Sequence, residues 1–333
     1  MILKRAGLIT LFSLLTLMVL WSSFLLGAEL FYYKPYEGTL HYDLTIHTHA
    51  LVDAGLPDQY GKVVRDHEDI MALSQRVEET EEGLLDIATT VDKINPLPSS
   101  RGFGPPGVVY KREEIEGNTQ HIKINLLGKV EEAQVLPHLG SRYFWPNNGQ
   151  DGPFLDFYNV MILLNPRFPL DLLEPGDSWE NENEIELEVA DTLPLAGLME
   201  IRYELEMTIQ QKIQYTLLDF VEKKGYRCAR ISFEAEFKTD GVMYSSGNGN
   251  YLEGNGESSG ELCFAPQEGI LVSATMTHNV FEKRSRDGQI RTNLTPREVI
   301  VLYAYDQTTV PVPWRSERTV SLELTEGQAI SRK

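Results

Sequence analysis

A chain of 333 residues, 42% hydrophobic and 24% charged, has the composition of a folded globular protein, which excludes a disordered one. Its formal net charge of −19 repels phosphate backbones and so excludes nucleic acid as a partner. Anionic lipid headgroups are repelled as well, so membrane attachment has to come from the N-terminus.

The N-terminus carries a suitable segment. Lys4 and Arg5 precede 21 uncharged residues, Ala6 to Leu26, rich in Leu, Phe, Val and Met. A secretory signal has an apolar run of about 7–15 residues, whereas a spanning helix needs about 20. The run therefore reads as a signal anchor, with a cleaved signal peptide as the alternative. Bulky Leu26 makes Leu26-Gly27-Ala28 only a passable cleavage site. Phe31, Tyr32, Tyr33 and Tyr36 then suit a membrane–water interface. Because the basic flank precedes the run, the remainder is expected outside the cytoplasm, periplasmic or on the outer face, held to the cytoplasmic membrane by residues 6–26. No cysteine near this end could carry an acyl anchor.

Beyond residue 33 the period is two. Leu40, Tyr42, Leu44 and Ile46 alternate with His41, Asp43, Thr45 and His47. Alternation from Met199 runs through Leu217, broken only at Gln211, and predicts a strand that is very long and bent, or interrupted there. Ala229 to Phe237 repeat the pattern, and strands also fit 119–126, 268–281 and 289–305, the last two joined by an Asp287-Gly288 turn. One helix is predicted near 154–164, where Leu155, Tyr158, Met161 and Leu164 share a side. Asn95 to Gly107, with four prolines and three glycines, reads as an irregular loop.

These elements predict an all-β fold. Long antiparallel curved sheets form two related halves, half-barrel or barrel-like, with an N-terminal hydrophobic helix and one connector helix. The expected divisions are 1–33 for the anchor or signal, 34–140 for the first β half and 141–176 for the connector. The second β half takes 177–306, and 307–333 is a C-terminal tail. An internal echo supports the halves. Gly83 and Gly128 follow similar segments to Gly225 and Gly269, at spacings of 45 and 44 residues (128 − 83 and 269 − 225). His41-Tyr42-Asp43-Leu44 also echoes Arg202-Tyr203-Glu204-Leu205.

The run Phe168-Pro169-Leu170-Asp171-Leu172-Leu173-Glu174-Pro175-Gly176-Asp177-Ser178-Trp179 precedes a Tyr-rich strand. Gly225-Tyr226-Arg227-Cys228-Ala229-Arg230-Ile231 and Phe264-Ala265-Pro266-Gln267-Glu268-Gly269-Ile270-Leu271 come later. In that order, across 168–281, the chain resembles a group of exported bacterial β-proteins sharing a Pro-Gly-Asp-x-Trp landmark. The resemblance implies fold and location; the group has no established activity to carry over.

Two constellations could carry chemistry. Glu180, Glu182, Glu184, Glu186 and Glu188 occupy alternate positions, so their carboxylates share one strand face, with Ile185, Leu187 and Val189 opposite. Pairing with a strand from Met199 would bring Glu200, Glu204 and Glu206 to the same face. Such a ladder is either a solvated edge or a cation site, and calcium is the ion that would fit. His47 and His49, with Cα atoms about 6–7 Å apart on a polar face, are either surface histidines or two ligands of a transition metal awaiting a third. No cofactor is otherwise called for. The Gly/Asn/Ser-rich stretch from Ser245 to Gly260 lacks the Lys-Ser/Thr of a phosphate loop and reads as hairpin turns or a glycine kink. Cys228 and Cys263 are expected not to pair, because a simple meander puts a third strand between them.

The functional expectation is a non-catalytic cell-envelope protein that binds a hydrophobic small molecule or an envelope protein on a curved sheet. A structural or assembly component of the envelope is the alternative. A hydrolase is the outsider, since no nucleophile elbow, metalloprotease helix or dinucleotide fingerprint occurs.

Overall fold

The computed structural model describes residues 28–53, 62–95, 116–133, 165–195, 199–245, 248–286 and 314–326. Eleven strands make up the regular structure of these residues. The first five are β1 (Tyr36–Asp53), β2 (Lys62–Glu79), β3 (Leu85–Asn95), β4 (Thr119–Ile124) and β5 (Val130–Ala133). The others are β6 (Ser178–Leu195), β7 (Met199–Lys223), β8 (Tyr226–Ser245), β9 (Asn248–Ala265), β10 (Ile270–Arg286) and β11 (Trp314–Glu326). They form one antiparallel sheet in the order β5-β4-β3-β2-β1-β11-β10-β9-β8-β7-β6. The all-β expectation holds, as a single open sheet with β5 and β6 at its edges.

Alternation decides which side packs. In β1, Leu40, Tyr42, Leu44 and Ile46 are buried while His41, Asp43 and His47 are exposed. In β8, Ile231, Phe233, Ala235 and Phe237 are buried while Glu234, Glu236 and Lys238 are exposed. Apolar inside and polar outside is the inverse of a lipid-spanning barrel, whose outer band is apolar.

The structure revises several expectations. Of the two alternatives for the strand from Met199, the long unbroken one holds, with its irregularity between Leu217 and Asp219 rather than at Gln211. Trp314–Glu326, assigned from sequence to a tail, is β11 and pairs with both β1 and β10 in the middle of the sheet. The hydrophobic run 6–26, the connector helix 154–164, the strand 289–305, the Asp287-Gly288 turn and most of the loop 95–107 lie outside the described residues.

The glycine echo has a structural counterpart. Gly83, Gly128, Gly225 and Gly269 stand in the β2–β3, β4–β5, β7–β8 and β9–β10 turns, all with positive φ and all at one end of the sheet. The two pairs are offset by five strands. The His41/Arg202 echo is out of step with that offset, since it aligns β1 with β7 where β6 would correspond.

At the turn end, two extended segments bridge the gap between the sheet edges. Glu29 and Leu173 exchange backbone hydrogen bonds at 3.0 and 2.9 Å. Tyr33 N–H donates to Leu126 O at 2.8 Å and Phe168 N–H to Leu127 O at 2.7 Å, tying both segments to the β4–β5 turn. On the β6 side, Trp179 Nε1–H and Asn181 Nδ2–H donate to Arg167 O at 2.8 and 2.7 Å. Phe31, Tyr33, Phe168, Trp179 and Phe264 fill the interior there, with Phe168 and Phe264 centroids 4.7 Å apart. This aromatic floor is a filled core.

Candidate functional site

Above the floor, toward the loop end, the interior of β7–β10 turns polar. Trp179 stacks on Tyr215 (5.3 Å, 17°), and Tyr215 pairs across with Phe233. One row higher, Ile213 and Ala235 lead to Ser258 and His278, which are directly opposite. The next row holds Gln211, Phe237 and Gly256, and the one after it Ile209 and Thr239.

Ser258 Oγ and His278 Nδ1 are 2.6 Å apart and buried. Phe237 lies flat on the His278 ring, 4.8 Å between centroids and 10° between planes. The ring has room because residue 256 is glycine: a Cβ there would come within 2.1 Å of Phe237 Cζ and 2.3 Å of Asn279 O. Beside this stack, Gln211 Oε1 and Thr239 Oγ1 are buried without a hydrogen-bond partner among the described residues. Gln211 is only 4% exposed and Thr239 7%. Leaving such a group without any partner costs about 1–3 kcal/mol. A second buried polar group sits in the first five strands, where Gln75 Nε2–H donates to Thr89 Oγ1 at 3.0 Å and Gln120 Oε1 has no partner among the described residues.

The serine–histidine contact is unsuited to acyl transfer. Ser258 lies mid-strand between β8 and β10, so the amides around it serve the sheet ladder on both sides. An oxyanion hole needs N–H donors that converge on a reacting oxygen.

Glu180, Glu182, Glu184 and Glu186 of the ladder are exposed on the outer face of β6. Lys212, opposite Glu182, reaches Glu180 at 3.0 Å and Glu182 at 3.8 Å. Gln210 Nε2–H donates to Glu184 Oε2 at 3.0 Å. Only Glu188 faces another glutamate, Glu206; Glu200 and Glu204 stand opposite Pro194 and Ala190. A hollow of about 700 Å³ is lined by Glu182, Glu184 and Lys212 together with Gln211, Phe237 and Gly256 of the inner row. His47 and His49 lie on the outer face of β1, opposite Thr319 and Glu317 of β11 and Glu68 and Asp66 of β2. Among the described residues no three His, Cys, Asp or Glu side chains converge as a metal-binding group.

Cys228 and Cys263 are both free, but the strand order given as the reason for expecting them unpaired is overturned. β8 and β9 are adjacent, Arg230 is opposite Cys263, and Cys228 is two residues along from Arg230 on the same face. Both cysteines are buried. The sequence reading inserted a strand between them because it took 245–260 for turns, whereas those residues are mostly β9 itself.

No family model matches this chain. No curated protein matches it either. Two solved structures of OccK1 (OpdK) from Pseudomonas aeruginosa, one with vanillate, align at 7% and 8% identity over 87% of this chain and 99% of theirs. Their TM-score of 0.18 is too low to assign a shared fold.

Proposed function

We propose that the protein is a non-catalytic cell-envelope binding protein, exported and held by its N-terminal segment, whose sheet interior receives an amphiphilic molecule from the loop end. The supporting observation is the pair of unpartnered buried atoms, Gln211 Oε1 and Thr239 Oγ1, beside Ser258, His278 and Phe237. Ile209 and Ile213, buried on the same face of β7, flank Gln211. A guest with a polar end paired with these atoms and an apolar part against Ile209, Ile213 and Phe237 would match both. The net charge of −19 disfavours an anionic guest, so the reading specifies a neutral one bearing hydroxyl or amide donors.

Native mass spectrometry after mild extraction tests this. Wild type should carry a neutral lipid-like adduct, and a Gln211→Leu/Thr239→Val variant, folded by circular dichroism, should lose it. Adduct-free wild type, or an adduct equally retained by the variant, would overturn the reading. The location has its own test: an alkaline phosphatase fusion after Arg291 should be active, and inactivity there would refute export.

A further inference from the structure

The segments that close the turn end of the sheet carry leucines on their outward side. Among the described residues five large hydrophobic side chains are exposed, and four of them are here: Leu30 (43%), Leu126 (46%), Leu170 (79%) and Leu172 (58%). Exposed leucines scattered singly are ordinary, whereas a group of them marks a contact surface. The backbone gathers these four. Glu29 and Leu173 exchange hydrogen bonds, so Leu30 and Leu172 are neighbours of one antiparallel couple. Phe31, Tyr33 and Leu173 fill the floor, and alternation turns Leu30, Tyr32 and Leu172 the other way. The hydrogen bond from Tyr33 N–H to Leu126 O brings the β4–β5 turn alongside. Lys34 Nζ stands 4.6 Å over the Tyr32 ring. Leucines with a tyrosine and a lysine are the chemistry of a membrane–water interface.

The chain also says what lies against this side. The uncharged run Ala6 to Leu26 stops three residues before Glu29, and three extended residues span at most about 10 Å. A run seated in a membrane therefore holds the turn end within that reach of the lipid surface. A second copy fits less well, since it would bring two chains of net charge −19 together with exposed Asp171 and Glu174 in the contact. We propose that the turn end is a membrane-docking face, on which Leu30, Leu126, Leu170 and Leu172, with Tyr32 and Lys34, rest on a zwitterionic bilayer. Anionic headgroups are repelled by the same acidic charge. Docking turns the floor toward the membrane and the loop end away from it, so a guest enters the sheet from the aqueous side. This orientation rests on the anchored, exported reading above.

The test uses the full chain in phosphatidylcholine nanodiscs, spin-labelled in turn at Leu170→Cys, Leu172→Cys and, exposed toward the loop end, Glu253→Cys. Wild type, whose Cys228 and Cys263 are buried, gives the labelling background. Access of oxygen, which partitions into lipid, is compared with access of a water-soluble nickel chelate. The two leucine positions should favour oxygen several-fold over the Glu253 position, and phosphatidylglycerol in the disc should move them back toward the water value. Water-like values at both leucine positions, in chain that stays with the disc, would overturn the docking and leave the anchor intact. Chain that elutes apart from the discs would refute the anchor and the docking together. Spin–spin broadening at the Leu170 position would give the patch to a second copy and overturn its assignment to lipid. A lipid-like value at the Glu253 position would overturn the orientation.

Discussion

Phe168→Ala is the sharpest perturbation of the bridge between the sheet edges. Phe168 is 2% exposed and its ring meets four others: Phe264 at 4.7 Å, Phe31 at 5.3 Å, Tyr33 at 5.7 Å and Trp179 at 6.2 Å. Truncating a buried Phe to Ala costs about 3–5 kcal/mol in lost transfer and cavity energy. Each ring pair adds roughly 0.5–1.5 kcal/mol, partly within that figure. The local backbone offers little collapse, because Phe168 N–H is fixed to Leu127 O and Arg167 O accepts from Trp179 and Asn181. The cost should therefore sit in the upper half of the range, about 4 kcal/mol. In urea the midpoint should fall with m unchanged, and the melting temperature should drop by roughly 10 °C. Phe168→Leu should cost about half as much, since it keeps most of the volume. A loss below about 1 kcal/mol at unchanged m would refute the seating of this segment. A fall in m would instead mean that the bridge unfolds separately from the sheet.

Gln211→Leu should stabilise the ligand-free protein by about 1 kcal/mol in urea, because it removes an unpaired buried acceptor; destabilisation would mean that the amide is satisfied. Lys212→Met should lower the melting temperature in dilute buffer and much less in concentrated salt, since Lys212 neutralises Glu180 and Glu182; an equal loss in both would contradict an ionic role. Burial raises Tyr33, Tyr42 and Tyr215 well above the usual phenol range and pushes Tyr36 up to about 12. Unfolded phenols ionise near about 10, so this stability is complete below that pH and is lost as pH rises from there through 12 and beyond. Urea midpoints that stay flat across that window would refute the burial of these rings.

Much of the sheet was legible because its faces are chemically unlike. The Leu40–Ile46 and Ile231–Phe237 alternations mark inner and outer sides directly, and the turn glycines mark one end. The inner side of β9 was not legible. Gly254, Gly256, Ser258 and Gly260 offer no apolar signal, although Glu253, Glu257 and Glu261 already alternate with them as an outer face. Their smallness accommodates the Phe237 and Phe233 rings from β8, a long-range fit that period-two reading of one strand cannot supply. The same misreading separated the cysteines and hid the Ser258–His278 pair. β11 escaped because its order depends on β1, more than 250 residues earlier, as its partner. Lys212 lies opposite Glu182 only through the β6–β7 register, so the ladder read from sequence looked more repulsive than it is.

Histidine-selective nuclear magnetic resonance tests the central claim, a guest in the sheet interior, most directly. His278 is buried against Ser258 and Phe237, whereas His41, His47 and His49 lie exposed on the outer face. Titration with a monoacylglycerol, a neutral amphiphile with hydroxyl donors, should shift the His278 ring signals, assigned through Ser258→Ala, and leave the outer histidines in place. An unmoved His278 signal at saturating amphiphile, in protein that remains folded, would contradict the account.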